Sequence, residues 1–246
     1  MGSPSLRVIG PGRAGRALAA ALSTSGWRLA GFLGRGDDPR DAARGVDLVV
    51  LATPDSAVAD VAARIEPDAA AVVAHVSGSL PLSALDPHER RGSLHPLRAI
   101  PTADTPLAGA WFAVAGDPLV ERAVADLGGR AVTVPEDARA GYHAAAVIAS
   151  NHLVALLGQV ERVAADAGVP LAAFFDLVRG TVDNVERLGP VDALTGPVAR
   201  GDWLTVQRHL DALAPEERGA YRAMAALAER LVDEHHRHPS VEGDAA

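Results

Sequence analysis

The sequence predicts an α/β protein in which a doubly wound parallel sheet, over residues 1–135, is followed by an all-α domain over residues 136–246. Two observations carry this prediction. Short segments that are apolar throughout alternate with helical segments up to Val134, which is typical of a parallel sheet covered by helices on both faces. Beyond Val134 the patterns are helical. In such a sheet the binding groups lie at the carboxyl ends of the strands.

The first domain is expected to alternate strands with helices that end at glycines or begin at a proline. The expected strands are Leu6–Ile9, a segment that starts near Trp27 and ends at Gly34-Arg35, Asp47–Ala52, and segments within residues 69–80, 92–97, 110–116 and 130–135. The expected helices are Ala14–Ser25, Ser56–Ile65 and residues 117–129.

The second domain, which begins near Pro135, is expected to contain helices over residues 136–168, 171–189, 203–213 and 215–236. The segment from Tyr142 to Leu157 is apolar nearly all round, and a helix without a polar face must be covered on most sides. We therefore expect a homodimer whose subunits share this helical core. The alternative is a buried central helix in a monomer.

A glycine-rich turn follows the first strand. Gly10, Gly12 and Gly15 fit the G-x-G-x-x-G pattern, in which the glycines allow a sharp turn, a close backbone approach to a pyrophosphate, and tight packing of helix on strand. The helix N-terminus then favours the phosphates. This pattern predicts a Rossmann-type dinucleotide site, and the alternative is a tight turn without a ligand. The expected cofactor-binding residues are Gly10, Pro11, Gly12, Arg13, Ala14, Gly15, Arg35, Thr53 and Pro54.

Arg35 decides which dinucleotide is expected. An acidic residue that binds the adenosine ribose usually ends the second strand, and here that strand ends in Gly34-Arg35. A guanidinium suits a 2′-phosphate, so we expect NADP(H) rather than NAD(H). Asp37 and Asp38 would favour NAD(H) if one of them bound the ribose, but an Asp-Asp-Pro sequence is more simply a solvated turn.

Composition excludes several other classes of protein. The 246 residues include no cysteine, and all 23 basic residues are arginine, so neither a thiolate nor a lysine Schiff base can operate. With a net charge of −8 and no basic cluster, nucleic acid is not an expected partner. The sequence has no pattern of a signal peptide, and no segment of about 20 apolar residues, so we expect a cytoplasmic protein that binds neither membrane nor metal.

Hydride transfer to a carbonyl or imine requires a proton donor, and lysine is absent. The expected catalytic residues are His143, Ser150 and Asn151, three polar groups on an otherwise apolar helix. His143 and Ser150 are seven residues apart, so they lie almost on one line of a 3.6-residue helix, with Asn151 on the flank. The alternative for His143 is a core histidine with its hydrogen bonds satisfied.

Substrate groups are expected at the ends of the fourth and fifth strands. Ser77, Gly78 and Ser79 offer two hydroxyls and an amide to a carboxylate or carbonyl, and His95 lines the same edge of the sheet. The alternative for the serines is a capped turn.

The order of these motifs resembles a known family. G-P-G-R-A-G near the start, A-T-P-D after the third strand, H-V-S-G-S, L-H-P-L, Y-H-A-A-A-V-I-A-S-N and L-T-G-P-V-A-R-G-D are similar to a family of Rossmann-like NADP oxidoreductases with an uncharacterised helical C-terminal domain. That family resembles the wider group of 6-phosphogluconate dehydrogenase, β-hydroxyacid dehydrogenases, ketopantoate reductase and pyrroline-5-carboxylate reductase.

The resemblance implies an N-terminal NADP-binding domain, a helical domain that dimerises, and a catalytic cleft between them. It matches Ser77-Gly78-Ser79 to a substrate-binding loop and Asn151 to the asparagine of the interdomain helix. One departure is Val147, which stands where the β-hydroxyacid enzymes carry a catalytic lysine. His143, one turn earlier, is the expected replacement.

The sequence therefore predicts an NADPH-dependent oxidoreductase that reduces a small carbonyl compound, in the first place a 2-oxo acid of the ketopantoate type. One alternative is a reductase of a cyclic imine. Another is an NADP(H)-binding sensor or scaffold without turnover.

Overall fold

The computed structural model describes residues 2–237, and residues 1 and 238–246 lie outside the description. Packing divides the chain into two compact units, Met1–Ser150 and Asn151–Ala246. The boundary between functional domains that the sequence predicts near Pro135 stays a prediction.

The first unit contains a seven-stranded sheet in the order β2-β1-β3-β4-β5-β6-β7. All seven expected strands form, and the central ones are buried because helices cover both faces. The strands are β1 (Ser5–Ile9), β2 (Arg28–Leu33), β3 (Leu48–Leu51), β4 (Val72–His75), β5 (Arg91–Pro96), β6 (Trp111–Gly116) and β7 (Arg130–Thr133).

The sheet is mostly parallel, as predicted, but β6 and β7 run antiparallel to the other five strands. β5 pairs with β6 antiparallel, whereas the remaining neighbours pair in parallel. The physical reason lies in the connection between β5 and β6, residues 97–110, which contains no helix. A parallel crossover normally needs one.

Four helices belong wholly or mainly to the first unit. Trp27, which packs in the core beside α1, donates its indole N–H to Asp126 Oδ2 at 2.9 Å and so links two segments 99 positions apart. The helices are α1 (Arg13–Thr24), α2 (Asp55–Arg64), α3 (Pro118–Asp126) and α4 (Arg139–Val147).

The second unit is helical, as predicted. The direction of the chain changes inside α6 at Gly189, which has a φ of +80° and is followed by Pro190, so the helix expected to end there does so. The helices are α5 (Leu153–Asp166), α6 (Phe175–Ala193), α7 (Trp203–Ala212) and α8 (Arg218–Arg237).

One helical run, Glu136–Asp166, joins α4 to α5. It is long and apolar enough to cross a membrane, with a mean hydropathy of 1.3 over its most apolar window, none of which is buried. The expectation that no segment has this composition was therefore wrong. Residues 140–160 contain no Asp, Glu, Lys or Arg. Length and composition alone do not decide whether a membrane or a protein partner covers this helix.

Candidate functional site

The glycine turn has the geometry that the motif predicts. Gly10 has a φ of +96°, and a Cβ there would lie 2.6 Å from the carbonyl oxygen of Ala52. Gly15 is equally constrained, since its Cβ would lie 2.4 Å from the oxygen of Gly10. At Gly12 a Cβ would meet nothing within 4 Å, so the N-terminus of α1 is open to an approaching group. The turn therefore combines tight packing beneath with free space above, as phosphate binding requires.

A cleft of about 610 Å³ opens beside this turn. Six of the nine expected cofactor residues line it. Arg13, Ala14 and Gly15 do not, and Gly15 is buried beneath the turn. The six residues that line the cleft are Gly10, Pro11, Gly12, Arg35, Thr53 and Pro54.

Two arginines and one aspartate surround the end of the cleft beyond β2. Arg35 lies where the sequence placed it, and Arg64, at the end of α2, lines the same cleft. Sequence analysis missed Arg64, because it is 29 positions from Arg35 and belongs to no motif. Asp37 is engaged locally, since its Oδ2 accepts the backbone N–H of Gly34 at 2.7 Å. Arg64 Nη2 lies 3.9 Å from Asp38 Oδ1, so this end of the cleft offers Arg35 and Arg64 to a ligand, with an aspartate beside Arg64.

A second group of polar residues lies where β4 ends. The Ser77 hydroxyl donates to Asp55 Oδ2 at 2.7 Å and accepts the backbone N–H groups of Ser79 and Leu80, both at 3.1 Å. The Ser79 hydroxyl donates to the same Asp55 oxygen at 2.9 Å. Ser77 is buried and its hydroxyl is fully engaged, whereas Ser79 and Asp55 are exposed.

Gly78 lies against two histidines. A Cβ at this position would lie 2.6 Å from His143 Nδ1 and 3.0 Å from His95 Cε1. The two imidazole rings are 5.8 Å apart, edge to face. The structure thus brings His143 together with the predicted substrate loop and with His95, although the two histidines are 48 positions apart in sequence. Only glycine allows this approach.

Arg139 is buried beneath this group, with 2% of its surface exposed. Its Nη1 donates to Ser93 Oγ and its Nη2 donates to the carbonyl oxygen of Ser77, both at 2.9 Å. Its Nε has no partner among the described residues. Burial lowers the pKa of the Arg139 guanidinium, because removal from water disfavours a charge.

The surroundings keep two histidines neutral. Burial first, and the positive charge of Arg139 second, lower the pKa of His75 from 6.5 to about 4. For His95, burial is again the main cause, His143 and Arg139 add to it, and the pKa is also about 4. Asp55 opposes the shift at both histidines. Near neutral pH both rings therefore carry one proton on one nitrogen.

Tyr142 is a further member of the site. Its Oη lies 2.6 Å from His95 Nδ1, and burial raises its pKa to about 12. Sequence analysis missed Asp55, Arg139 and Tyr142 as site residues. A signal was available for two of them, since Arg139, Tyr142 and His143 have the i, i+3, i+4 spacing of one helix face.

Ser150 and Asn151 lie in a π-helical turn, Ile148–His152, between α4 and α5. The Ser150 hydroxyl donates to the carbonyl oxygen of Ala146 at 2.7 Å. The wider turn interrupts the 3.6-residue period, so the expected alignment of His143 with Ser150 does not follow from their spacing. The catalytic roles of Ser150 and Asn151 stay predictions.

Residues 112–228 match the family model described as "Domain of unknown function (DUF2520)". No curated protein matches the chain.

Solved structures share the fold. A Bacteroides fragilis protein that carries the provisional name NADP oxidoreductase is 19% identical, with a TM-score of 0.76 over 93% of this chain and 98% of its own. Plasmodium falciparum pyrroline carboxylate reductase with NADP bound is 13% identical, with a TM-score of 0.62 over 94% and 99%. An Aspergillus terreus reductive aminase in complex with NADPH and ethyl-5-oxohexanoate is 17% identical, with a TM-score of 0.65 over 94% of each chain. These similarities establish a Rossmann-type fold followed by a helical region.

Proposed function

We propose that this protein is an NADP(H)-dependent oxidoreductase that reduces a small carbonyl compound, with a 2-oxo acid of the ketopantoate type as the first candidate. One observation carries the proposal. The glycine turn opens on a cleft whose far end holds Arg35 and Arg64, so that one continuous surface offers backbone amides to a diphosphate and guanidinium groups to a 2′-phosphate. The names of the similar solved enzymes support it.

Each part of the cofactor has residues that suit it. The diphosphate would rest on the N-terminus of α1, which has no acidic residue in its first turn. Arg35 and Arg64 would hold the 2′-phosphate. Thr53, whose buried hydroxyl has no partner among the described residues, would contact the adjacent ribose-phosphate. When bound, the reduced nicotinamide would supply the hydride.

The chain's own residues would bind the substrate and manage the proton. As the carbonyl carbon gains hydride, its π electrons move to the oxygen, which must take a proton. His143 is the proposed donor, and the geometry that supports it is its position against Gly78 beside His95. Ser79 and the Gly78 amide would orient the substrate. Ser77 would act mainly by holding the loop, because its hydroxyl is already engaged.

A cyclic imine is the second candidate, and Asp55 favours it. Both serine hydroxyls of the substrate loop donate to the Asp55 carboxylate, which leaves a carboxylate at the exposed edge of the site. A second carboxylate from a 2-oxo acid would be repelled there, whereas a protonated imine would be attracted.

The reaction is tested by mixing the protein with NADPH and a panel of 2-oxo acids and cyclic imines, and following the loss of NADPH absorbance. Turnover of any member supports an oxidoreductase, and the class that reacts decides between the two candidates. If NADPH binds saturably but no member of a broad panel consumes it, the protein is a sensor or scaffold instead.

The cofactor assignment predicts that Arg35→Ala weakens NADPH binding about tenfold, the value of one charged hydrogen bond, and leaves NADH binding unchanged. Titration calorimetry measures both. Arg230→Ala, which removes an exposed arginine of α8, is the matched control and should bind NADPH like the wild type. Equal NADPH affinity of Arg35→Ala and wild type would contradict the assignment.

We also propose a homodimer. Ile148, Val154 and Leu177 are 58%, 71% and 68% exposed, and such side chains on apolar helices favour a protein cover. Sedimentation measures the mass of the assembly, and flotation with lipid vesicles tests the membrane alternative raised by the helix Glu136–Asp166. A monomer that floats with the vesicles would overturn the dimer.

A further inference from the structure

Tyr142 has no role in the proposed reaction, yet its position beside His95 is specific. Its Oη lies 2.6 Å from His95 Nδ1, and the two rings meet edge to face with their centres 5.7 Å apart. His95 is fixed by the end of β5, while Tyr142 comes from α4, 47 residues later. The contact therefore depends on the tertiary fold and not on local chain geometry.

The hydrogen bond has a preferred direction. A neutral imidazole has one N–H and one lone pair, and the tyrosine hydroxyl can donate or accept. If the hydroxyl donates, His95 Nδ1 is the acceptor and the imidazole proton lies on Nε2. The reverse arrangement would leave the hydroxyl proton without an acceptor among the described residues, since Oη makes one hydrogen bond there.

The other nitrogen of His95 is accessible. Nε2 makes no hydrogen bond within residues 2–237, and it is not among the buried polar atoms that lack a partner. An N–H group at this position would point to the accessible side of the ring, while the ring's Cε1 and Nδ1 lie against the position of Gly78.

We propose that Tyr142 is a positioning residue that holds His95 in the tautomer protonated on Nε2, so that the site presents a neutral N–H donor to the substrate oxygen. This inference rests on the proposed reductase function. His95 would donate a hydrogen bond to the oxygen as negative charge develops on it, while the proton itself comes from His143. A hydrogen-bond donor aimed at a developing oxyanion is among the most effective catalytic devices.

The charged and titratable groups around His95 are consistent with a neutral ring. His143 and Arg139 of α4 disfavour a second proton, as does His75 of β4, while Asp55 of α2 favours one. Burial is the main cause that lowers the pKa of His95 to about 4, and the effects of His143, Arg139 and His75 add to it. The His95 ring should therefore stay neutral from about pH 5.5 upward.

The experiment is nitrogen-15 NMR of histidine-labelled protein, with His95 assigned by the signals lost in His95→Gln. In the wild type at pH 7 we expect an unprotonated Nδ1 and a protonated Nε2. In Tyr142→Phe we expect a mixture of both tautomers. The matched control is Tyr221→Phe, which removes the hydroxyl from the chain's other tyrosine, 2.7 Å from His209 Nδ1, and should leave the His95 signals unchanged.

Two results would overturn the proposal: a wild-type His95 protonated on Nδ1, or a His95 tautomer unaltered in a folded Tyr142→Phe variant. The first needs no variant, so the proposal stays testable even if Tyr142→Phe fails to fold. Neither result requires turnover, and for that reason a failed tautomer test is distinguishable from a failed reductase assignment.

Kinetics supply the functional readout once a substrate reacts. Tyr142→Phe should lower kcat about fivefold to tenfold at pH 7, as expected for a weakened hydrogen bond, and should leave KM for NADPH unchanged. An unchanged kcat would limit Tyr142 to a structural role and overturn its catalytic importance.

Discussion

The protein contains two tyrosines, and each forms a hydrogen bond to a histidine Nδ1. The Tyr142–His95 pair in the first unit has an O···N distance of 2.6 Å and rings 5.7 Å apart at 86°. The Tyr221–His209 pair in the second unit has a distance of 2.7 Å and rings 5.8 Å apart at 90°. By contact geometry alone the two pairs are equivalent.

Their surroundings differ. His95 lies on β5, where Arg139, His143 and Asp55 act on its charge, whereas His209 is exposed on α7. Both tyrosines have a raised pKa because of burial, but only for Tyr142 is the shift large, to about 12. The comparison teaches that a Tyr–His hydrogen bond becomes a candidate catalytic device through burial and neighbouring charge, and not through its own geometry.

The largest expected effect is on the pH dependence of stability. His75 and His95 have a pKa of about 4 in the folded protein, below the 6.5 of an ordinary histidine. Between these values the unfolded chain binds more protons, so the free energy of unfolding should fall as the pH falls from 6.5 to 4. Each histidine contributes roughly 3 kcal/mol over that window. Urea unfolding at a series of pH values measures the slope.

His95→Gln should reduce this slope by about half, since one of two similar contributions is removed. The carboxyl groups of Asp47 and Asp117, whose pKa is lowered from 3.8, act at lower pH and do not confuse the comparison. Stability that rises on acidification through this window would show that the histidines are not held neutral.

The next effect concerns Gly78, which packs against His95 of the Tyr142–His95 pair. Gly78→Ala would place a methyl group 2.6 Å from His143 Nδ1 and 3.0 Å from His95 Cε1, so both rings must move. Displacement of catalytic groups by about 1 Å typically costs about 100-fold in rate. We expect that loss in kcat on a verified substrate, with the Tyr221–His209 pair unaffected.

Gly141→Ala is the control for this substitution. Gly141 lies next to Tyr142 on the exposed side of α4, where a Cβ would meet nothing within 4 Å. Alanine should leave kcat unchanged and stabilise the helix by about 0.5–1 kcal/mol. If Gly78→Ala retained the turnover of Gly141→Ala, the close packing around Gly78 would have no catalytic importance.

The smallest effect compares the two hydroxyls directly. Tyr142→Phe leaves His95 Nδ1 without its partner in a partly buried site and should lower the free energy of unfolding by about 1–3 kcal/mol. Tyr221→Phe changes an exposed pair and should alter it by about 0.5 kcal/mol or less. The urea midpoints of the two variants at pH 7 measure the difference. Equal midpoints would mean that the burial of the first pair has no energetic consequence.

Much of the fold could be predicted because local patterns specify it. The strand-to-helix turn at Gly10 and Gly12, all seven strands, and the kink at Gly189 follow from apolar runs and glycine positions. The reversed direction of β6 and β7 was missed, because strand direction depends on the connection between strands and not on the strand residues. The π turn at Ile148–His152 was also missed, since no residue pattern in the segment announces it.

By itself the sequence determined the elements, the glycine turn and the residue types available for chemistry, because backbone conformation and composition are local properties. It also named His143, Ser77-Gly78-Ser79 and His95 separately as candidate site residues, and their roles stay predictions. Tertiary structure decided that Asp55 occupies the serine hydroxyls, that Arg139 lies beneath the loop, and that Tyr142 meets His95. Those contacts join residues 22, 62 and 47 positions apart, and no local pattern encodes which distant side chains a fold brings within hydrogen-bond distance.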